Sequence, residues 1–201
     1  MLSLSTVQPL PLIIKSLYDK NYGIINDLIE VQPDSNTPKL FYYYSQTCNA
    51  KELGLYENFR SNGGAAINRY DALAKAIGEG VERYCSSIFH HNNFHLSGYN
   101  NADFNCVNPD DFALYSDDQY ANPGPNFVYQ KFTDNTIIFW TSAFELSSFK
   151  KKYVPAAMVY CPYYYHPEKG DSPIVQPIST GLACHGTFYK ACISGICEVF
   201  E

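Results

Sequence analysis

Apolar residues fall in short runs along this chain, and their spacing changes from run to run. Gly23-Ile24-Ile25 through Val31 reads as a strand, the cluster Gln32-Pro33-Asp34-Ser35-Asn36-Thr37-Pro38 as a turn, and Leu40 to Tyr44 as the returning strand. Leu73, Ile77, Val81 (with Gly80) and Tyr84 recur at helical spacing, which predicts a helix over about 69–88 with that stripe in the core. Asn68 is its expected N-cap, with Asp71 three residues on as the acid of a capping box. The stretch from His90 to Phe112, rich in Asn and His, reads as loop. Thr136 to Trp140 and Val154 to Tyr165 read as strands, the latter with Pro155 near its start, and Pro167 to Ser172 as a turn. Thr187 caps a second expected helix that begins near Phe188.

The two helices carry one polar pattern. Asn68 and Thr187, Ala72 and Ala191, Glu79 and Glu198, and Glu82 and Glu201 are each separated by 119 residues. Each helix follows a small-residue loop, Asn62-Gly63-Gly64 in one case and Ser179-Thr180-Gly181 in the other. Glu79 and Glu82 lie three residues apart, so their carboxylates point the same way one turn apart, and Glu198 with Glu201 repeats this. Two such acids can share a Mg²⁺ with phosphate oxygens, whereas without a cation or proton they repel. One acidic pair alone would be an ordinary solvated helix face. Its repetition in register, behind two loops whose backbone N–H groups can receive phosphate, points to a nucleotide site with metal ions built from two related halves. No Gly-x-x-x-x-Gly-Lys-Ser/Thr occurs, so this is not a P-loop.

Composition narrows the partners. The 201 residues are 46% hydrophobic and 17% charged, as in a globular chain. The net charge is −6 and arginine occurs only at Arg60, Arg69 and Arg83, so no basic stripe is offered to nucleic acid. No apolar run approaches the ~20 residues of a membrane span. Met1 to Lys15 is apolar, but Pro9 and Pro11 interrupt it and no basic segment precedes it, which makes it a poor signal peptide. Seven cysteines without a C-x-x-C predict reduced core thiols in a cytoplasmic protein rather than a zinc site. Tyr 18 and Phe 13 are high counts that an aromatic core accounts for, with some rings left to face a partner. His90, His91 and His95 read as polar loop. His185 and Cys184 lie in the second loop, and no paired base and acid makes Cys184 a nucleophile.

Gly63-Gly64 through Lys75-Ala76-Ile77-Gly78-Glu79-Gly80-Val81-Glu82-Arg83-Tyr84 resembles the first signature of YcaO-domain proteins, and Ser179 through Glu201 resembles the second. Leu114 to Tyr120, Trp140 and Val154-Pro155-Ala156 resemble the streptolysin-type cyclodehydratase branch. The resemblance implies an α/β (α+β) fold with mixed sheets and two related motif helices. It implies ATP and Mg²⁺ as cofactors, Glu79, Glu82, Glu198 and Glu201 as metal and ATP ligands, and Arg83, Lys75, Ser179 and Gly181 as further nucleotide contacts. It assigns no catalytic side chain. In azole-forming members a Cys, Ser or Thr of a precursor peptide attacks the preceding carbonyl, and phosphorylation by ATP turns the amide oxygen into a leaving group. An E1-like (ThiF-like) protein that presents the peptide, and a homodimer, are the partners it allows. Ala65, Lys75, Gly186 and Lys190 depart from residues many ATP-binding members carry, and Lys75 offers a cation in compensation. Two alternatives stay open, a non-catalytic scaffold that docks peptide or partner, and thioamide formation with external sulfide. The expected organisation is an N-terminal extension over 1–20 and the N-terminal portion of a YcaO domain over 21–201. The second helix has no C-terminal glycine or basic last turn, which predicts that it belongs to a longer protein.

Overall fold

The computed structural model describes residues 10–34, 36, 38–53 and 55–201. Residues 1–9 of the expected extension, and Ser35 and Thr37 of the expected turn, lie outside them. The chain divides into two units. One runs to Ile88 and takes in Ser179–Glu201, and the other is Phe89–Ile178.

The first unit begins with helix α1 (Leu10–Leu17), followed by an antiparallel sheet of β1 (Ile25–Val31), β2 (Phe41–Thr47) and β3 (Ser61–Ala66) in that spatial order. The expected strand pair is β1 and β2, with Ile29 opposite Tyr44 and Val31 opposite Tyr42. The Gly63-Gly64 segment, expected as loop, is the third strand, with Gly63 opposite Tyr44 and Gly64 opposite Tyr43. Helix α2 (Arg69–Ser86) lies on this sheet, capped by Asn68, whose side chain accepts from the Tyr70 N–H. The approach is close. A Cβ on Gly64 would sit 2.3 Å from the Ala72 carbonyl oxygen and 2.4 Å from the Ala76 nitrogen. One on Gly80 would sit 2.7 Å from Ile25 Cδ1. Ser45 Oγ, fully buried, donates to the Ala76 carbonyl at 2.6 Å.

This closeness corrects the expected core stripe. Ala72, Ala76, Ile77 and Gly80 are buried, while Leu73, Val81 and Tyr84 are only half-buried. Small residues face the strands because a helix riding this near to backbone has no room for larger ones. Strand alternation sends Ser45 and Thr47 toward α2, and Ile29, Val31, Tyr42 and Tyr44 to the other face of the sheet.

Helix α4 (Phe188–Phe200) closes this unit in sequence. Thr187 caps it as expected, accepting from the Lys190 N–H at 3.3 Å. Of its residues only Gly195 is buried.

In the second unit β4 (His95–Ser97), β5 (Ile138–Phe144) and β6 (Lys151–Pro155) form an antiparallel sheet, and α3 (Asp117–Ala121) stands outside it. Three expectations shift here. The His90–Phe112 loop contains β4. The third expected strand starts two residues later than Thr136 and runs on to Phe144. The fourth ends at Pro155, near where it was expected to begin, because the chain turns at Ala156–Met158. Trp140, Ile138, Ile174, Phe132 and Cys106 form the core, and the Trp140 indole N–H donates to the Ser97 carbonyl at 2.9 Å. Asp171, 1% exposed, receives the Tyr163 hydroxyl at 2.8 Å and the backbone N–H groups of Phe139 and His166. Burial raises its carboxyl, and these three donors oppose the rise.

No disulfide is formed among the described residues, but the thiols are not uniformly core. Cys106 and Cys161 are buried, and Cys85, Cys184 and Cys197 are exposed. Among the described residues no helix is long and apolar enough to cross a membrane.

Candidate functional site

Two of the four expected acids, Glu79 and Glu82, line one cavity inside the first unit. Glu79 and Glu82 project from α2 beside the turn that contains Cys184, and the wall they share encloses a cavity of ≈ 610 Å³. Gly63 and Lys75 line it, as do Cys184, His185 and Gly186. Leu10, Ile13 and Leu17 of α1 supply an apolar wall.

Each acid is held differently. Glu79 Oε2 accepts from the Gly63 N–H at 2.7 Å, so the carboxylate sits where the strand edge offers a backbone donor. Arg83 lies 3.8 Å from Glu79 and 3.9 Å from Glu82 and pairs with both. Burial pushes the Glu82 carboxyl above the usual carboxylate range. Arg83 pulls it back, Glu198 and then Glu79 push it further up, and the Cys184 backbone N–H lowers it. Glu82 therefore stands within the electrostatic reach of an acid from each helix. Lys75 Nζ donates to the Ala65 carbonyl at 3.1 Å, which carries its charge across to β3 at the cavity rim.

The donor set fits Mg²⁺. Carboxylate oxygens are hard ligands, and a cation would relieve the mutual repulsion that raises Glu82. Among the described residues no group of three or more His, Cys, Asp or Glu is arranged to hold a metal ion.

Other expected contacts lie elsewhere. Of the expected site residues, Arg83, Ser179, Gly181, Glu198 and Glu201 do not line the cavity. Gly181 adopts the left-handed conformation (φ 88°). A Cβ there would sit 3.0 Å from Val199 Cγ2 and 4.0 Å from the Gly195 carbonyl. The Ser179–Gly181 turn thus packs on the later turns of α4 rather than at its N-terminus. The Ser179 carbonyl receives the Leu182 N–H at 2.9 Å. Glu201 is exposed, and its N–H donates to the Cys197 carbonyl. Cys184 is no activated nucleophile, since burial, Cys85 and Glu82 all push its thiol up.

The α1 wall went unread in the sequence, although its signal is there. Leu10, Ile13, Ile14 and Leu17 fall at i, i+3, i+4 and i+7, and Pro11 sits in the first turn, where proline is tolerated.

A family model described as YcaO cyclodehydratase, ATP- and Mg²⁺-binding, matches residues 63–201. The chain belongs to the YcaO family, and ATP and Mg²⁺ are the cofactors of that family. No curated protein sequence matches it. Similar solved structures include a heterocyclase in complex with substrate and cofactor, at 23% identity and TM-score 0.66, covering 88% of this chain and 24% of that one. A second is the YcaO from Methanopyrus kandleri bound with AMPPCP and Mg²⁺, at 17% identity and TM-score 0.55, covering 87% and 36%. A third is the heterocyclase TruD, at 24% identity and TM-score 0.52, covering 67% and 20%. At these identities the likeness is one of fold, and it bears out the expected mixed α/β architecture. The chain spans well under half the length of each of these proteins.

Proposed function

We propose that this chain is the N-terminal portion of an ATP- and Mg²⁺-dependent cyclodehydratase. The reaction closes a Cys, Ser or Thr of a ribosomally made precursor peptide onto the preceding backbone carbonyl, giving a thiazoline or oxazoline. The carrying observation is that Glu79 and Glu82 line one cavity beside the Gly63 amide, with Glu198 in electrostatic reach of Glu82. Residues 21–201 are read as the N-terminal part of the YcaO domain, supported by the family match over residues 63–201 and by structural neighbours of which the chain covers 24% and 36%.

The residues divide the work by chemistry. Glu79, Glu82, Glu198 and Glu201 are the four acids that would hold the cation in this reading. Arg83, already between Glu79 and Glu82, keeps two like charges together before a metal arrives. Lys75 at the rim meets phosphate charge in place of the cation lost at Ala65. Ser179 and Gly181 act through α4, on which their turn is packed. When bound, Mg-ATP supplies the electrophilic phosphorus that converts the amide oxygen into a leaving group. A precursor peptide, and an E1-like protein to present it, are the partners this chemistry calls for.

A second reading has one observation in its favour. Glu79 already satisfies the Gly63 N–H, as it would in a scaffold that docks peptide without using nucleotide. Titration calorimetry of the full-length protein separates the two. Mg-ATP binding that Glu79→Gln and Glu198→Gln each weaken at least ~10-fold supports the enzyme. No heat from Mg-ATP with the wild type leaves the scaffold. Sulfide consumed in step with ATP would redirect the enzyme reading to thioamide formation.

A further inference from the structure

Strand β2 holds one side of β3, and among the described residues no strand pairs with the other. In an antiparallel ladder alternate residues turn both N–H and C=O away from their partner strand. Gly63 and Ala65 are two such residues, and each has one of these groups taken by a side chain of α2. The Gly63 N–H donates to Glu79 Oε2 at 2.7 Å, and the Ala65 carbonyl receives Lys75 Nζ at 3.1 Å. A carboxylate acceptor and an ammonium donor thus stand, two residues apart, where the C=O and N–H of one more strand would be. A bare edge is a template for any extended chain. Here it is covered by one exposed and one half-buried side chain, Lys75 and Glu79, which a competing backbone can displace.

Room lies beyond that edge. Gly63 borders the ≈ 610 Å³ cavity, and Leu10, Ile13 and Leu17 face it from α1. Metal and phosphate chemistry uses no aliphatic wall. A polypeptide uses both walls, bringing amide groups for the strand edge and side chains for the helix. The fold does not demand glycine at 63, since a Cβ there would meet only the Tyr43 carbonyl oxygen, at an ordinary 3.6 Å. A strand glycine free of such a demand marks close approach by another backbone.

We propose that an extended peptide backbone adds to the outer edge of β3, taking the Gly63 N–H from Glu79 and the Ala65 carbonyl from Lys75. The inference deepens the cyclodehydratase reading, on which it rests for the peptide being substrate. Recognition through main-chain bonds lets one site accept varied side chains. Arrival of the strand also releases the Glu79 carboxylate for a cation.

The test is fluorescence anisotropy of the full-length protein with a labelled octapeptide of Ser, Thr and Val, in buffer without nucleotide or divalent ion. Saturable binding is expected. Glu79→Ala, which frees the Gly63 amide, should tighten it about 5-fold, and Lys75→Met about 3-fold. Two peptides N-methylated on alternate residues, in opposite registers, should part, one losing affinity at least ~10-fold and the other keeping it. These peptides need no altered protein, so misfolding cannot imitate their result. Absence of saturable binding, equal loss from both methylated peptides, or no gain in affinity from Glu79→Ala overturns the proposal. Calorimetry with Mg-ATP on the same proteins reads the other claim. Weaker nucleotide beside tighter peptide in Glu79→Ala supports both, whereas the expected peptide behaviour with no nucleotide heat from the wild type keeps the strand site and sinks the nucleotide reading.

Discussion

Helices α2 and α4 carry the same cap and the same acid spacing, yet they live in opposite surroundings. Helix α2 is pressed onto a sheet through Ala72, Ala76, Ile77 and Gly80. Helix α4 is more apolar in composition, but Phe188, Tyr189, Ile193, Ile196, Val199 and Phe200 are all exposed. A helix that is apolar nearly all round is normally buried. A shared sequence pattern thus fixes the local device, cap and paired acids, while the packing of each copy is set by what the rest of the chain brings to it.

The largest blow to this contrast is steric. Gly64→Ala drives a methyl into the Ala72 and Ala76 backbone and should cost about 3 kcal/mol or more, read by urea melting. A cost under about 1 kcal/mol would mean that α2 is not seated as tightly as described. Next in size is a matched pair. Ile77→Ala, at a site 4% exposed, should cost about 3 kcal/mol, whereas Ile196→Ala on α4 should stay within about 0.5 kcal/mol in this chain. Equal costs would erase the distinction between the helices.

Smallest, but sharpest in sign, is the response to acid. Glu82 is raised by burial, so the folded state holds its proton more tightly than the unfolded chain does. Stability therefore falls as pH rises from the ordinary carboxylate value through the raised one. Glu82→Gln should raise Tm at pH 7 and not at the acid end of a melting series. His91 in the second unit behaves oppositely. It is lowered from 6.5 to about 4, chiefly by burial, with His166 and Lys169 contributing and Glu168 opposing. The unfolded chain binds that proton first, so stability is lost as pH drops from 6.5 toward about 4. His91→Phe, which keeps ring contacts to Phe89, Phe94 and Phe139, should flatten that loss. Variants that shift melting equally at both pH values would refute the assigned causes.

Much of this was legible in the residues. The Asn68 and Thr187 caps, β1 with its return β2, and the pairing of Glu79 with Glu82 on one side of α2 follow from local chemistry and a helical period. Gly63-Gly64 was misread because paired glycines signal turns. Here they are strand residues, and Gly64 is required by how close α2 comes, a tertiary fact. The core stripe on α2 was misassigned for the same reason, since size rather than hydrophobicity decided which face met the sheet. Residues 10–17 were read only as part of an extension, although a first-turn proline such as Pro11 leaves a helix intact. The placement of Ser179–Gly181 on the far end of α4 had no sequence signal.

The bond from the Gly63 amide to Glu79 has a kinetic and thermodynamic corollary. Any incoming anion that wants that amide meets a resident competitor tethered to the same molecule, present at an effective concentration in the millimolar range. A divalent ion that draws the carboxylate toward itself removes the competitor and supplies the counter-charge in one move. On the proposed Mg-ATP reading, loading of the pocket would then be synergistic, with neither metal nor phosphate gaining full purchase until the other is there.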